Sequence, residues 1–233
     1  MPTPDAGHVS DEQLQEQLQY YSDRAPEYDD WWQRKGSFDQ GDGSNSAWFR
    51  DVEVASGVLD RTDLGRSCIE LAPGTGIWSV KLAPRVAELT LVDGSKEMLE
   101  RNPVTREPHV HVEIADLFAL RPVRKFDSVV FTFWISHVPE ERLDEFFQLV
   151  SALLNDNGRV FFVDDLPKAT SAPHVEAAQG QTMVRRLNNG RTTTIVKNFY
   201  SDARLLAAAD GAGVDLEVMR TDEYFLIGRG VKR

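Results

Sequence analysis

A carboxylate and two glycines lie close together in Glu70-Leu71-Ala72-Pro73-Gly74-Thr75-Gly76, and another acid, Asp93, follows 19 residues after Gly74. A glycine turn after the first strand of an α/β fold lets a ligand approach the backbone closely. An acid about 20 residues further on can accept hydrogen bonds from ribose hydroxyls. Asp116, followed by Leu117 and Phe118, ends a third apolar run, a place for a polar contact to an adenine amino group beside an apolar wall. Together these residues could hold an adenosine cofactor. What the turn lacks narrows the choice. A dinucleotide fingerprint closes on a third glycine that sets a diphosphate on a helix N-terminus. Here Ser79 stands in its place, and Glu70 would repel a diphosphate while suiting an ammonium group. Nor is there a G-x-x-x-x-G-K-[ST] run for a triphosphate. A cationic cofactor that carries an amino acid fits best.

Two further features could act on a second molecule. His137 follows the fourth apolar run, at the edge where ligands bind in open α/β sheets, and could serve as a proton acceptor. The span from Gln179 through Ser201 contains no acid but holds Arg185, Arg186, Arg191 and Lys197. The whole chain of 233 residues has 37 acids against 26 bases, a net charge of −11. Residues 1–64 alone hold fourteen acids and five bases. A basic island in so acidic a chain suits a small anion, and the overall charge argues against a nucleic-acid partner.

The geometry of that island depends on one loop. TMVRRLNNGRTTTIVKNFY reads as a β-hairpin about Asn189-Gly190. A two-residue turn pairs Asn188 with Arg191, so Arg186 opposes Thr193 and Lys197 opposes Thr182, with both cations on one face. A loop one residue longer pairs Leu187 with Arg191 and sets Arg185 beside Lys197. The shorter turn leads to the expectation that Arg186 and Lys197 grip the anion.

The elements that must position these groups follow from periodicity. CIELA, LTLVD, HVHVEI, FDSVVF and RVFFVDD are strand-like runs, separated mostly by helical stretches near 77–84, 95–101 and 141–154. That alternation predicts an α/β fold, a Rossmann-like doubly wound sheet. LEVMR and EYFLIGRG add a terminal antiparallel pair after a helix at 202–209, making seven strands. Upstream, Ser10 and Gln13 form a capping box, and Leu14, Leu18 and Tyr21 fall at helical spacing. Pro26 breaks this helix, Tyr28, Trp31 and Trp32 start another, and GSFDQGDGSNS at 36–46 reads as a mobile loop before a helix at 46–59. One domain over 1–233 is expected, with a helical lid and loop at 10–46, a cofactor-binding core at 65–165 and an inserted hairpin at 182–200 roofing the acceptor site. No apolar run approaches the ~20 residues of a membrane helix, and the polar start lacks the features of a signal peptide. With Cys68 its lone cysteine, the chain is expected to be cytoplasmic. His8, His109, His111 and His174 lack metal-ligand spacing, so no metal is expected.

ELAPGTGIW (70–78), LVDGSKEML (91–99), ADLFAL (115–120) and FTFWISHVPEERL (131–143) resemble class I S-adenosylmethionine-dependent methyltransferases. YYSDRAPEYDDWW, WISHVP and MVRRLNNGRTTTIVKNFYS extend the likeness to small actinomycete O-methyltransferases of acidic natural-product intermediates, among them the phosphonate O-methyltransferase of dehydrophos biosynthesis. The resemblance implies S-adenosylmethionine as cofactor and a small-molecule acceptor. It gives the methionine part to Gly74 and Gly76, the ribose to Asp93, and the adenine to Asp116 and Leu117. Tyr21, Glu70, Ala72, Gly94, Ser95, Met98, Phe118 and Phe133 complete the expected cofactor set, with Arg24 suited to a bidentate grip on the methionine carboxylate. Tyr28, Trp134, His137, Arg186 and Lys197 are expected around the acceptor. Ala72 departs from the glycine many members have there. An ionised acid acceptor needs no base, whereas an amine would call on His137, so an N-methyltransferase is the nearest rival. A nicotinamide oxidoreductase is disfavoured by the missing third glycine and by Glu70.

Overall fold

The computed structural model describes residues 8–168 and 176–233; His174 lies outside them. Ser10 caps the first helix, α1 (Asp11–Arg24), its Oγ accepting from the Gln13 N–H while Gln13 accepts from the Ser10 N–H. Pro26 falls in a 3-10 turn, Ala25–Glu27, and α2 (Tyr28–Trp32) follows. The segment read as a mobile loop is ordered differently. Gly36–Phe38 is a 3-10 turn and α3 (Gly41–Asp60) begins at Gly41. Asp39 Oδ1 accepts from the Gly41 N–H at 2.9 Å and from Asn45 Nδ2 at 2.7 Å, so these loop-forming residues instead tie down the start of the helix.

Five parallel strands form the core: β1 (Ser67–Leu71), β2 (Glu88–Asp93), β3 (Val110–Ile114), β4 (Phe126–Thr132) and β5 (Leu154–Asp165). A separate three-stranded antiparallel sheet holds β6 (Glu176–Gln179), β7 (Thr182–Arg186) and β8 (Thr192–Val196). Strand β6 was not foreseen. β9 (Val214–Arg220) and β10 (Phe225–Lys232) complete the main sheet in the order β3-β2-β1-β4-β5-β10-β9, with β10 antiparallel to both of its neighbours. Strand order reverses at β1, between β2 and β4, which opens a crevice at the carboxyl ends of those three strands.

Helices α4 (Ser79–Leu82), α5 (Lys96–Leu99), α6 (Leu143–Leu153) and α7 (Asp202–Gly211) connect the strands. In α6 the apolar positions Leu143, Phe146, Phe147 and Val150 share one stripe and are all buried. Each such side chain contributes roughly 1.5–3 kcal/mol when fully buried. Phe146 meets Phe131 of β4 edge-on, and Phe131 stacks on Phe162 of β5. The other face of the sheet packs on α3 through Trp48, Ala55 and Leu59. No helix among the described residues is long and apolar enough to cross a membrane. Those residues also contain no cluster of three or more potential metal ligands.

Candidate active site

The turn after β1 needs unusual backbone geometry. Ala72, Gly74 and Gly76 all have left-handed φ, at 51°, 56° and 89°. Glycine adopts this freely and alanine with some strain, so the departure at Ala72 keeps the conformation expected of glycine. A Cβ on Gly76 would sit 2.4 Å from Asn102 Oδ1, so that glycine is also needed for packing. Asp93, at the end of β2, ties the turn to the next loop: its carboxylate accepts from the Gly74 N–H at 2.9 Å and from the Ser95 N–H at 2.8 Å. Burial raises its pKa to about 6 against the pull of those two bonds. Ser95 caps α5 and its Oγ accepts from Ser22 of α1 at 2.9 Å. Glu70 lies fully buried behind the turn, held by Ser79 Oγ at 2.6 Å, and burial pushes its pKa up to about 8. Its Oε1 has no partner.

A cavity of about 770 Å³, open mouth included, lies over this turn. Ala72, Gly74, Asp93, Gly94, Met98, Asp116, Leu117, Phe118, Phe133 and Trp134 line the wall formed by the sheet edge. Leu14, Gln17, Leu18 and Tyr21 of α1 close the other side. Gly94 permits that approach, since a Cβ there would lie 2.9 Å from Leu18 Cδ1. Asp116 is exposed and also caps its own turn through the Phe118 N–H at 2.9 Å. Glu70, Gly76 and Ser95 support this wall without reaching the cavity, a different position from the direct contact expected of them.

A smaller chamber of about 370 Å³, open mouth included, adjoins the first and shares Tyr21, Tyr28, Phe133 and His137 with it. Its other lining residues are Arg24, Trp31, Asp165, Arg185 and Lys197. His137 is fixed in one tautomer. Its Nδ1 lies 2.7 Å from the Val196 carbonyl, which can only accept, so Nδ1 carries the hydrogen and Nε2 accepts from the Tyr21 hydroxyl at 2.8 Å. Burial, then the Lys197 charge, holds the His137 pKa well below its usual value. Phe133 has a left-handed φ of 54°, and such strain in a bulky residue accumulates at functional sites.

Three cations lie otherwise than expected. Arg24 lines the smaller chamber, not the larger, with its guanidinium over the Tyr28 ring at 5.0 Å. In the hairpin Leu187 pairs with Arg191, Arg185 opposes Thr193 and Arg186 opposes Thr192. Arg185 therefore shares a face with Lys197, while Arg186 lies on the opposite face and is exposed. The physical reason is the loop, which has three residues and ends on Gly190 at φ 87°, a conformation that adds one residue to the turn. Lys197 also differs from a free cation. It is 6% exposed, and its Nζ donates to Ser136 Oγ at 2.9 Å, Asp165 Oδ2 at 2.8 Å and Asp164 Oδ1 at 3.4 Å. Sequence reasoning missed Asp165, Gln17 and Thr132. The consecutive acids at the end of β5 were the available signal for Asp165, because that edge is where such sheets bind ligands.

This geometry has counterparts. The chain is similar to DhpI in a complex with SAH (28% identity over 95% of this chain and 98% of that one, TM-score 0.76). It is equally similar to DhpI in a SAM-HEP complex (28% identity, 96% and 99% covered, TM-score 0.78). An S-adenosylmethionine dependent methyltransferase from Mesorhizobium loti shares the fold at 19% identity, covering 77% of this chain and 96% of that one with a TM-score of 0.57. No curated protein matches. A family profile described as a methyltransferase domain matches residues 44–217. That match runs from α3 to β9 and takes in the whole sheet edge around the crevice, so the chain belongs to the methyltransferase-domain family.

Proposed function

We propose that the chain transfers a methyl group from S-adenosylmethionine to an acid oxygen, carboxylate or phosphonate, of a small biosynthetic intermediate. The cofactor reading fits the larger cavity on its own terms. A Cβ on Gly74 would meet nothing within 4 Å, so the turn borders open space. Asp93 has lone pairs left for ribose hydroxyls, and Asp116 with Leu117 and Phe118 offers a polar edge and an apolar wall. Glu70, kept protonated near neutral pH by burial, stands behind the turn with an unpartnered Oε1 that can accept from an ammonium group or the water around it. The cofactor supplies an electrophilic methyl on a sulfonium, and everything else is work for the chain's own residues.

The observation that carries the acceptor reading is the smaller chamber, where Arg24 and Arg185 stand behind the wall shared with the cofactor cavity. Arg can hold an acid group bidentately, which presents an oxygen that is already ionised. Such alignment is worth several kcal/mol in favourable systems. No base is then needed, in keeping with a His137 whose Nε2 lone pair is occupied by Tyr21 and whose basicity is depressed. Tyr21, spanning both chambers from α1, and Trp134 at the cavity wall shape the passage between them. α1 and α2 act as the lid. The small size of the chamber and the net charge of −11 favour a small molecule over nucleic acid or a membrane surface. Calorimetry with S-adenosylmethionine and NADH, then a screen of small acids and amines for S-adenosylhomocysteine release, tests this reading. Release with acids is expected; release with amines alone would replace it with N-methylation.

A further inference from the structure

The smaller chamber holds two buried polar atoms without a partner, one of each kind. They are the Asp165 Oδ1 acceptor and the Arg185 Nε donor. A buried polar group left unpaired is costly, and in a binding site its missing partner is a property of the ligand. The Asp165 side chain is 10% exposed, and no protein group donates to its Oδ1. Lys197 has three protons, directed at Ser136, Asp164 and the other Asp165 oxygen. Both Asp164 oxygens already accept, Oδ2 from the Ser136 N–H at 3.0 Å and Oδ1 from the Asp165 N–H at 2.7 Å and from Lys197. Two carboxylates therefore share one ammonium, and Asp165 Oδ1 is the oxygen of the pair that receives no donor. Lys197 is thus committed to holding Asp165, and the acid-binding role falls to Arg24 and Arg185.

We propose that Asp165 recognises an ammonium group on the acceptor, so that the acceptor is a small zwitterion of the amino-acid or aminophosphonate class. This rests on the smaller chamber being the acceptor site. The acid group faces the guanidinium groups and the amine faces Asp165 Oδ1. A hydroxyl could fill the hydrogen bond, but an ammonium group makes it a charge-assisted one to the carboxylate, the stronger of the two. Asp165 is a specificity residue here, distinct from the residues that hold the oxygen to be methylated.

The test is calorimetric titration of the S-adenosylhomocysteine-loaded protein with alanine, lactate, propionate and ethylamine, and with the corresponding ethylphosphonates bearing amino, hydroxyl or hydrogen. Wild type is expected to bind the amino acids about tenfold or more tightly than their hydroxy and unsubstituted counterparts, the size of a lost charged hydrogen bond. Asp165→Asn should shrink that preference to within about twofold. Asp164→Asn removes the same charge from Lys197 but offers no free oxygen, and should keep the preference. Equal binding of the three substituents by wild type, or a preference that survives Asp165→Asn, overturns the proposal. Binding of ethylamine without binding of propionate would instead overturn the acid-oxygen reading while leaving the assignment of Asp165 standing.

Discussion

Asp93 offers the sharpest test of the cofactor site because its surroundings set both a magnitude and a pH window. Its two oxygens accept from the Gly74 and Ser95 N–H groups, and burial raises its pKa to about 6. If the ribose hydroxyls bond to the ionised carboxylate, charged hydrogen bonds of about 1.5–3 kcal/mol are at stake. Asp93→Asn should then weaken S-adenosylmethionine binding roughly 10- to 100-fold at pH 8. The pH dependence is a second readout. Below pH 6 the free protein holds a proton on Asp93 that binding must expel, so affinity falls as pH falls. At pH 5 about one molecule in eleven is ionised, which predicts a roughly tenfold rise in wild-type Kd between pH 7 and pH 5. The asparagine variant should be flat over that window. Calorimetry at pH 5, 6, 7 and 8, with circular dichroism as a control for folding, measures both effects. A pH-independent wild-type Kd, or an asparagine variant within twofold of wild type, would refute the reasoning.

Arg185→Met should raise the acceptor KM about tenfold and leave cofactor affinity unchanged, whereas Arg186→Met on the exposed face should change neither; steady-state kinetics showing the reverse pattern would mean the hairpin register is wrong. Lys197→Met abandons two buried carboxylates, so its first effect should be a loss of roughly 3–5 kcal/mol of stability, and an unchanged thermal midpoint would contradict the buried cluster. Burial raises the Glu70 pKa from 4.5 to about 8, so between those values the folded chain keeps a proton the unfolded chain has released, and stability falls as pH rises. Glu70→Gln should therefore gain stability over wild type as pH climbs, on the order of 4 kcal/mol by pH 9; a difference in melting temperature independent of pH would exclude this. If α1 and α2 close over bound ligands, hydrogen exchange should slow across residues 10–35 with S-adenosylhomocysteine and an acid acceptor present, and less at 36–46, where Asp39 and Asn45 already fix the backbone.

The sequence by itself determined whatever depends on neighbours along the chain. Alternating apolar runs and helical stretches specified the strand-helix order, because burial on one face or one stripe imposes periods of 2 and 3.6. The glycine turn and Asp93 could be located because each ends a strand, and strand ends on one side of a parallel sheet converge without further instruction. Tertiary structure decided what depends on contacts between distant segments. The face that Arg186 or Arg185 presents turned on a single loop residue, and period-two alternation converts a one-residue shift into the opposite face. Lys197 read as an available cation because its partners, Asp164 and Asp165, lie over thirty residues away in sequence and at its side in space. The 36–46 segment read as a loop because its Gly, Asp and Asn content is the same whether those side chains face water or cap a helix start. The unpaired oxygen of Asp165 follows the same logic: a buried polar atom lacks a partner only relative to everything folded around it, which no local window of sequence contains.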